Sequence, residues 1–267
     1  MNPIDAVFID LKSRRKKAFI PFLTAGDPDL AATPELAKAV IEAGADLLEI
    51  GFPYSDPIAD GPVIQASYTR ALERGVHLDD VFRCARRIAD ASPRVPLVAM
   101  VSFSIVTRRG PEAFLRMAKE SGFSGAIFPD LPLEESAALS EQAARHDFKL
   151  IHLVTPTTSP ERAAQIVQRS TGFVYCVSVA GITGERAALP PELLEQLHWL
   201  HQQTSLPLCV GFGVSKPEHV RMLREHCDGI IVGSALVRQV EKPGTVAEVR
   251  VRLAGLAKTL RGALDEG

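Results

Sequence analysis

The run Leu47-Leu48-Glu49-Ile50-Gly51 places a carboxylate near the end of an apolar stretch. Burying such a group costs free energy unless it is paired or put to work. Two readings follow: a structural glutamate bridged to a cation or to amides, or a general acid/base. The next segment, Phe52-Pro53-Tyr54-Ser55-Asp56-Pro57-Ile58-Ala59-Asp60-Gly61-Pro62, carries three prolines that fix φ and stiffen a long excursion. Asp56 and Asp60 hang from it. Asp-Pro and Asp-Gly also form turns, so Asp60 alone reads evenly as a turn residue or a second working carboxylate. A rigid loop beside an acidic strand end favours the second.

Glycines punctuate the C-terminal half. They occur in Val179-Ala180-Gly181-Ile182-Thr183-Gly184, around Phe212 as Gly211 and Gly213, and as Gly233 before Ser234 at a helix start. Glycine backbones admit a ligand closely, and helix N-termini offer free N–H groups. Tight turns without a ligand would look alike, but three in succession favour a phosphate held by amides. Arg186 and Lys216 could help only from a distance. Phe22, Met100, Phe128, Tyr175 and Phe212 fall near the same strand ends. Each reads singly as core; together they suit a substrate with a flat apolar part.

Other chemistries lack their residues. A Schiff base needs a lysine at a strand end, and Lys149 begins its strand. His152 stands alone, and His198 and His201 at i,i+3 have no evident third metal ligand. Cys84, Cys176, Cys209 and Cys227 form no C-x-x-C and read as buried free thiols. There is no Ser-His-Asp signature. Acid–base chemistry by carboxylates on an aromatic phosphate ester remains.

Strands are expected near Ala18–Leu23, Asp46–Gly51, Pro96–Val101, Gly125–Phe128, Phe148–Val154, Phe173–Val177, Pro207–Gly211 and Gly229–Val232. Amphipathic helices alternate with them. Helix starts are marked at Thr33-Pro34-Glu35, Gly110-Pro111-Glu112 and Ser159-Pro160-Glu161, and by a capping box at Ser215-Lys216-Pro217-Glu218. Ile4, Val7, Phe8 and Leu11 have helical spacing, so an extra helix precedes the first strand. A last helix covers Thr245–Leu260, with Asp265-Glu266-Gly267 fraying. Eight parallel strands alternating with helices in this length predict one α/β domain over residues 1–267, a (β/α)8 TIM barrel. An open doubly wound sheet lacks its G-x-G-x-x-G fingerprint. In such a barrel, chemistry sits at the C-terminal strand ends.

Composition agrees. Of 267 residues, 46% are apolar and 23% charged, with a formal net charge of −2. That argues against nucleic-acid or membrane-surface binding, which usually needs a basic face. No apolar run approaches the ~18 residues of a membrane span, and Met1–Lys17 has no signal-peptide core. The expected location is the cytoplasm.

The segment Leu48-Glu49-Ile50-Gly51-Phe52-Pro53-Tyr54-Ser55-Asp56-Pro57-Ile58-Ala59-Asp60-Gly61-Pro62-Val63-Ile64-Gln65 closely resembles the signature of the tryptophan synthase alpha-chain family. Phe22-Leu23-Thr24-Ala25-Gly26-Asp27-Pro28, Pro129-Asp130-Leu131-Pro132, Thr155-Pro156-Thr157-Thr158, Gly181-Ile182-Thr183-Gly184 and Val210-Gly211-Phe212-Gly213 match in order, so the likeness spans nearly the whole chain.

The resemblance implies cleavage of indole-3-glycerol phosphate to indole and glyceraldehyde 3-phosphate, without a cofactor. It implies that Glu49 transfers protons and that Asp60 stabilises the indolenine cation. By the same resemblance, Gly184, Gly213, Gly233 and Ser234 hold the phosphate, and Phe22, Met100, Tyr175 and Phe212 line the indole pocket. Asp56 pairs with Thr183 when loops close, and the loop from Gly181 to Ala188 is the expected lid. The implied partner is a PLP-dependent tryptophan synthase beta chain in an alpha2-beta2 assembly, met by Asp56, Ser104 and Pro132. A stand-alone lyase releasing free indole is the alternative. One stretch departs: many members carry Tyr-Tyr-Asn-Pro after strand 3, where this chain has Met100-Val101-Ser102-Phe103-Ser104-Ile105.

Overall fold

The computed structural model describes residues 1–58, 60–178, 191–211 and 213–266. Short apolar runs form parallel strands because both their faces are buried. They are β1 (Ala18–Thr24), β2 (Leu48–Gly51), β3 (Leu97–Met100), β4 (Phe123–Ile127), β5 (Lys149–Ile151), β6 (Leu153–Val154), β7 (Val174–Val177), β8 (Leu208–Gly211) and β9 (Gly229–Val232). The ladder runs β5-β4-β3-β2-β1-β9-β8-β7-β6. The expected strand Phe148–Val154 is split at His152. Its first half pairs with β4 and its second with β7. The His152 carbonyl accepts from the Tyr175 N–H at 3.1 Å. The split strand thereby closes the ladder into an eight-stranded (β/α)8 barrel.

Alternation along each strand separates two packed layers. Ile20 and Phe22 of β1, Val98 and Met100 of β3, and Tyr175 and Val177 of β7 meet inside the barrel. Leu23, Ile50, Ala99, Val210 and Ile230 face outward onto the helices. The helix Pro3–Ser13 plugs the N-terminal end of the barrel. Asn2 caps it, accepting from the Ile4 N–H at 2.9 Å and donating to the Ser124 and Asp147 carbonyls. Ile4, Phe8 and Leu11 join the interior cluster. That end is sealed, so the opposite end is left for a site.

Helix starts at Pro111 and Pro160 fall where expected, behind Gly110 and Ser159. Two others move. The helix Ala32–Glu42 begins ahead of Thr33-Pro34, because the Asp29 side chain receives the Ala32 N–H at 2.7 Å. Thr33 instead receives the N–H of Gly26. At Ser215-Lys216-Pro217-Glu218 no capping box forms: Lys216 is the N-cap, without a side-chain cap bond, and the Ser215 N–H donates to His219 Nδ1.

The last helix runs Val246–Asp265, beyond its expected end. Asp265 does not fray, since it pairs with Arg261 at 2.7 Å and Lys16 at 3.3 Å. Glu266 is held by Arg221 at 2.6 Å; Gly267 lies outside the described residues. Phe128 belongs to the outer layer, against Phe103 and Phe114, because Ile127 takes the inward position. All four cysteines are buried and free.

Candidate active site

β2 lies between β1 and β3, with Glu49 in register with Phe22 on one side and Val98 on the other. Its neighbours Leu48 and Ile50 pack outward, so the carboxyl enters the barrel, where Glu49 is 1% exposed. Neither carboxyl oxygen has a hydrogen-bond partner among the described residues. The bridged, structural reading of Glu49 therefore finds no bridge there. Burial pushes its pKa up to about 8, because a low-dielectric setting disfavours the charged form. Glu49 is mostly protonated at neutral pH but can still ionise.

Asp60 sits at the foot of the proline-rich loop. The Tyr54 hydroxyl donates to its carboxylate at 3.3 Å. Gln65 Nε2 donates to the carbonyls of Asp60 and Pro57 at 2.8 and 3.1 Å, tying the loop to the helix Pro62–Glu73. Burial raises the Asp60 pKa to about 6; the Tyr54 bond opposes this and the charge of Asp130 adds to it. At pH 7 Asp60 is mostly ionised while Glu49 is mostly neutral. Environments that push two carboxyl groups apart in this way divide acid and base roles.

Aromatic rings fill the space between. A Cβ added at Gly51 would lie 2.4 Å from Phe22 Cζ and 2.8 Å from the Tyr68 hydroxyl. Only glycine fits there. Phe22 also reaches the glycine side of the mouth: a Cβ at Gly233 would stand 3.7 Å from Phe22 Cβ. A Cβ at Gly211 would meet the Tyr175 hydroxyl at 2.2 Å. After burial, the charges of both Glu49 and Asp60 raise the Tyr68 and Tyr175 phenols, so both phenols lie in the field of both carboxylates. Met100 ends β3 in the same interior cluster.

Gly213 follows β8 with φ +78, a conformation that L side chains rarely adopt. Gly233 is the N-cap of the helix Ser234–Glu241, and Ser234 is its first residue. That places free N–H groups and a positive helix end beside Phe22. Thr183, Gly184, Arg186 and Phe212 lie outside the described residues, as does the expected lid. Asp56 is exposed and accepts from the Ser55 hydroxyl at 2.8 Å.

Four further side chains belong to this mouth, Thr24 at the end of β1 and three that lie off the strands. Thr24, Tyr54 and Tyr68 bring hydroxyls to it, and Asp130 brings charge. Tyr68 had a signal: Ile64, Ser67, Tyr68 and Ala71 are spaced as one buried helix face. The departing stretch after β3 also finds its place. Ser102 caps the helix Phe103–Arg109, its hydroxyl donates to Asp130 at 2.6 Å, and the Phe103 N–H donates to the other carboxylate oxygen at 2.7 Å.

A closed parallel barrel with two desolvated carboxylates among aromatic rings, at the C-terminal strand ends, defines a barrel enzyme of the acid–base kind. The family can be given more narrowly. The family model for the tryptophan synthase alpha chain matches residues 8–263, and the chain belongs to that family. It is 49% identical to the tryptophan synthase alpha chain of Rhodopirellula baltica over 90% of this chain and 87% of the relative. With that of Thermoanaerobacter pseudethanolicus it shares 43% identity over 99% and 100%. The crystal structure of tryptophan synthase subunit alpha from Legionella pneumophila superposes with a TM-score of 0.90 at 36% identity, over the full length of both chains. No helix of the described residues is long and apolar enough to cross a membrane.

Proposed function

We propose that this single-domain chain is the alpha subunit of tryptophan synthase, a carbon–carbon lyase that cleaves indole-3-glycerol phosphate to indole and glyceraldehyde 3-phosphate. The observation that carries this reading is Glu49, a buried, unbridged carboxyl with a pKa pushed to about 8. Protonated Glu49 delivers its proton to indole C3. Ionised Asp60 accepts the indole N–H and stabilises the positive charge that then spreads over the ring. Glu49, now a carboxylate, takes the proton of the glycerol hydroxyl next to the ring. The bond between C3 and the glycerol carbon breaks, its electrons restore the indole, and the oxygen becomes the aldehyde. One residue thus works in both forms, which a pKa near neutrality allows.

Phe22, Met100, Tyr175 and Phe212 enclose the indole. The amides around Gly184, Gly213, Gly233 and Ser234 hold the phosphate, and Thr183 closes onto Asp56. A PLP-dependent beta chain receives the indole in an alpha2-beta2 assembly in the cytoplasm. Its docking face carries Asp56, Ser104 and Pro132, all exposed, and Ile58, which at 90% exposure is an apolar side chain offered to solvent at the loop tip. A partner seated there would order the loop that bears Asp60 and complete the site. The test is steady-state indole release by the purified chain, with and without a cognate beta chain. Slow release accelerated at least roughly tenfold, about 1.4 kcal/mol of barrier, is expected. Fast release that is indifferent to the beta chain would favour a stand-alone lyase, and no release would overturn the reading.

A further inference from the structure

We propose that the Tyr68 hydroxyl, assisted by that of Thr24, binds the glycerol hydroxyls of the substrate beside Glu49, an inference that rests on the substrate assigned above. The helix Pro62–Glu73 turns Tyr68 into the barrel interior, where the residue is 1% exposed. Its hydroxyl has no hydrogen-bond partner among the described residues. Thr24 ends β1 directly across from Gly51 in register, is 3% exposed, and its Oγ1 is likewise unpartnered. Glu49 lies two residues before Gly51 on the same strand face, with both carboxyl oxygens unpartnered. Four buried polar atoms without a partner among the described residues thus belong to three residues near Gly51: its register partner Thr24, Glu49 two residues back on its strand, and Tyr68, whose hydroxyl the missing side chain leaves facing open backbone.

An unpaired buried hydroxyl is costly, and native chains pair nearly all such groups. These groups do not bond one another, so they are open to a bound molecule that brings hydroxyls. The indole ring offers an apolar face and one N–H, and the phosphate has the glycine turns. Only the glycerol chain carries hydroxyls. Tyr54 packs its ring on Tyr68 at 5.5 Å and donates to Asp60, so Tyr68 is held where the glycerol chain leaves the indole. A phenol donating to the oxygen that Glu49 deprotonates aims the departing O–H at the carboxylate.

Tyr68→Phe removes the oxygen and keeps the ring. Two readouts separate a binding role from a packing role: kcat/KM for indole-3-glycerol phosphate, and the inhibition constant of the phosphate ester of 3-(indol-3-yl)propan-1-ol, which keeps the indole and phosphate but lacks the hydroxyls. The variant should lose roughly tenfold or more in kcat/KM, bind the deoxy inhibitor within about twofold of the parent, and unfold at the same temperature or higher. Thr24→Val should show the same split on a smaller scale. An active parent with Tyr68→Phe at unchanged kcat/KM, or with both constants weakened equally, would overturn this inference alone. A parent that releases no indole would overturn the substrate assignment and this inference with it.

Discussion

The strand that carries Glu49 and the loop that carries Asp60 hold their carboxyl groups by different means. Glu49 is fixed by backbone register with two neighbouring strands and contacts no polar partner among the described residues. Asp60 is held by side chains: Tyr54 on its carboxylate and Gln65 on its carbonyl. The strand position is buried, and burial alone raises Glu49 to about 8. In the loop a hydroxyl opposes burial, and Asp60 rises only to about 6. On the proposed mechanism, the rigid element holds the group that changes protonation state, and the loop holds the group that stays charged.

Each side of this contrast can be broken separately. The largest effect is expected from Glu49→Gln, which keeps the volume but loses both proton transfers: indole release should fall ~10²–10⁴-fold. The same substitution should raise heat stability at alkaline pH. Glu49 binds its proton more tightly folded than unfolded, so the parent loses stability as pH rises from the ordinary carboxyl range through about 8. Glutamine does not titrate, so its advantage in thermal melts should grow between pH 5 and pH 8. A constant difference would mean that Glu49 is not a strained titrating group.

Next is Asp60→Asn, which should lower indole release by roughly 10²-fold, because an amide cannot stabilise the cationic ring as a carboxylate does. Asp60→Glu should cost less, since the charge remains. Equal rates for the parent and the Asn variant would remove Asp60 from the mechanism.

The smallest effect should come from Tyr54→Phe. Its hydroxyl favours ionised Asp60, so its loss should raise the Asp60 pKa and move the acid limb of kcat/KM to higher pH. At pH 7 the cost should be only a few-fold. An unmoved limb would show that Tyr54 does not hold Asp60.

Glu49 was legible because a charge inside an apolar run violates burial, a rule that needs no tertiary knowledge. The Asp60 loop was legible by its prolines, though composition left turn and catalyst evenly weighed until the flanking signature was matched. What escaped depends on contacts far apart in sequence. Phe128 looked like a mouth residue until alternation turned it outward against Phe114. Asp265 and Glu266 looked like a fraying end, yet Lys16 and Arg221 hold them. Helix starts shifted where a side chain other than the expected cap took the first N–H, as Asp29 does at Ala32. Tyr68 could be placed on a buried helix face, but nothing local shows its hydroxyl reaching Gly51.

The most direct test of the paired-carboxylate mechanism is the pH dependence of kcat/KM for indole release, taken from pH 5 to pH 9. On that mechanism activity needs ionised Asp60 and protonated Glu49, so the profile should be a bell with limbs near pH 6 and pH 8. Glu49→Gln should erase what remains of the alkaline limb, and Tyr54→Phe should move only the acid one. A profile that stays flat across this range, or keeps rising past pH 8, would contradict a neutral Glu49 acting beside a charged Asp60.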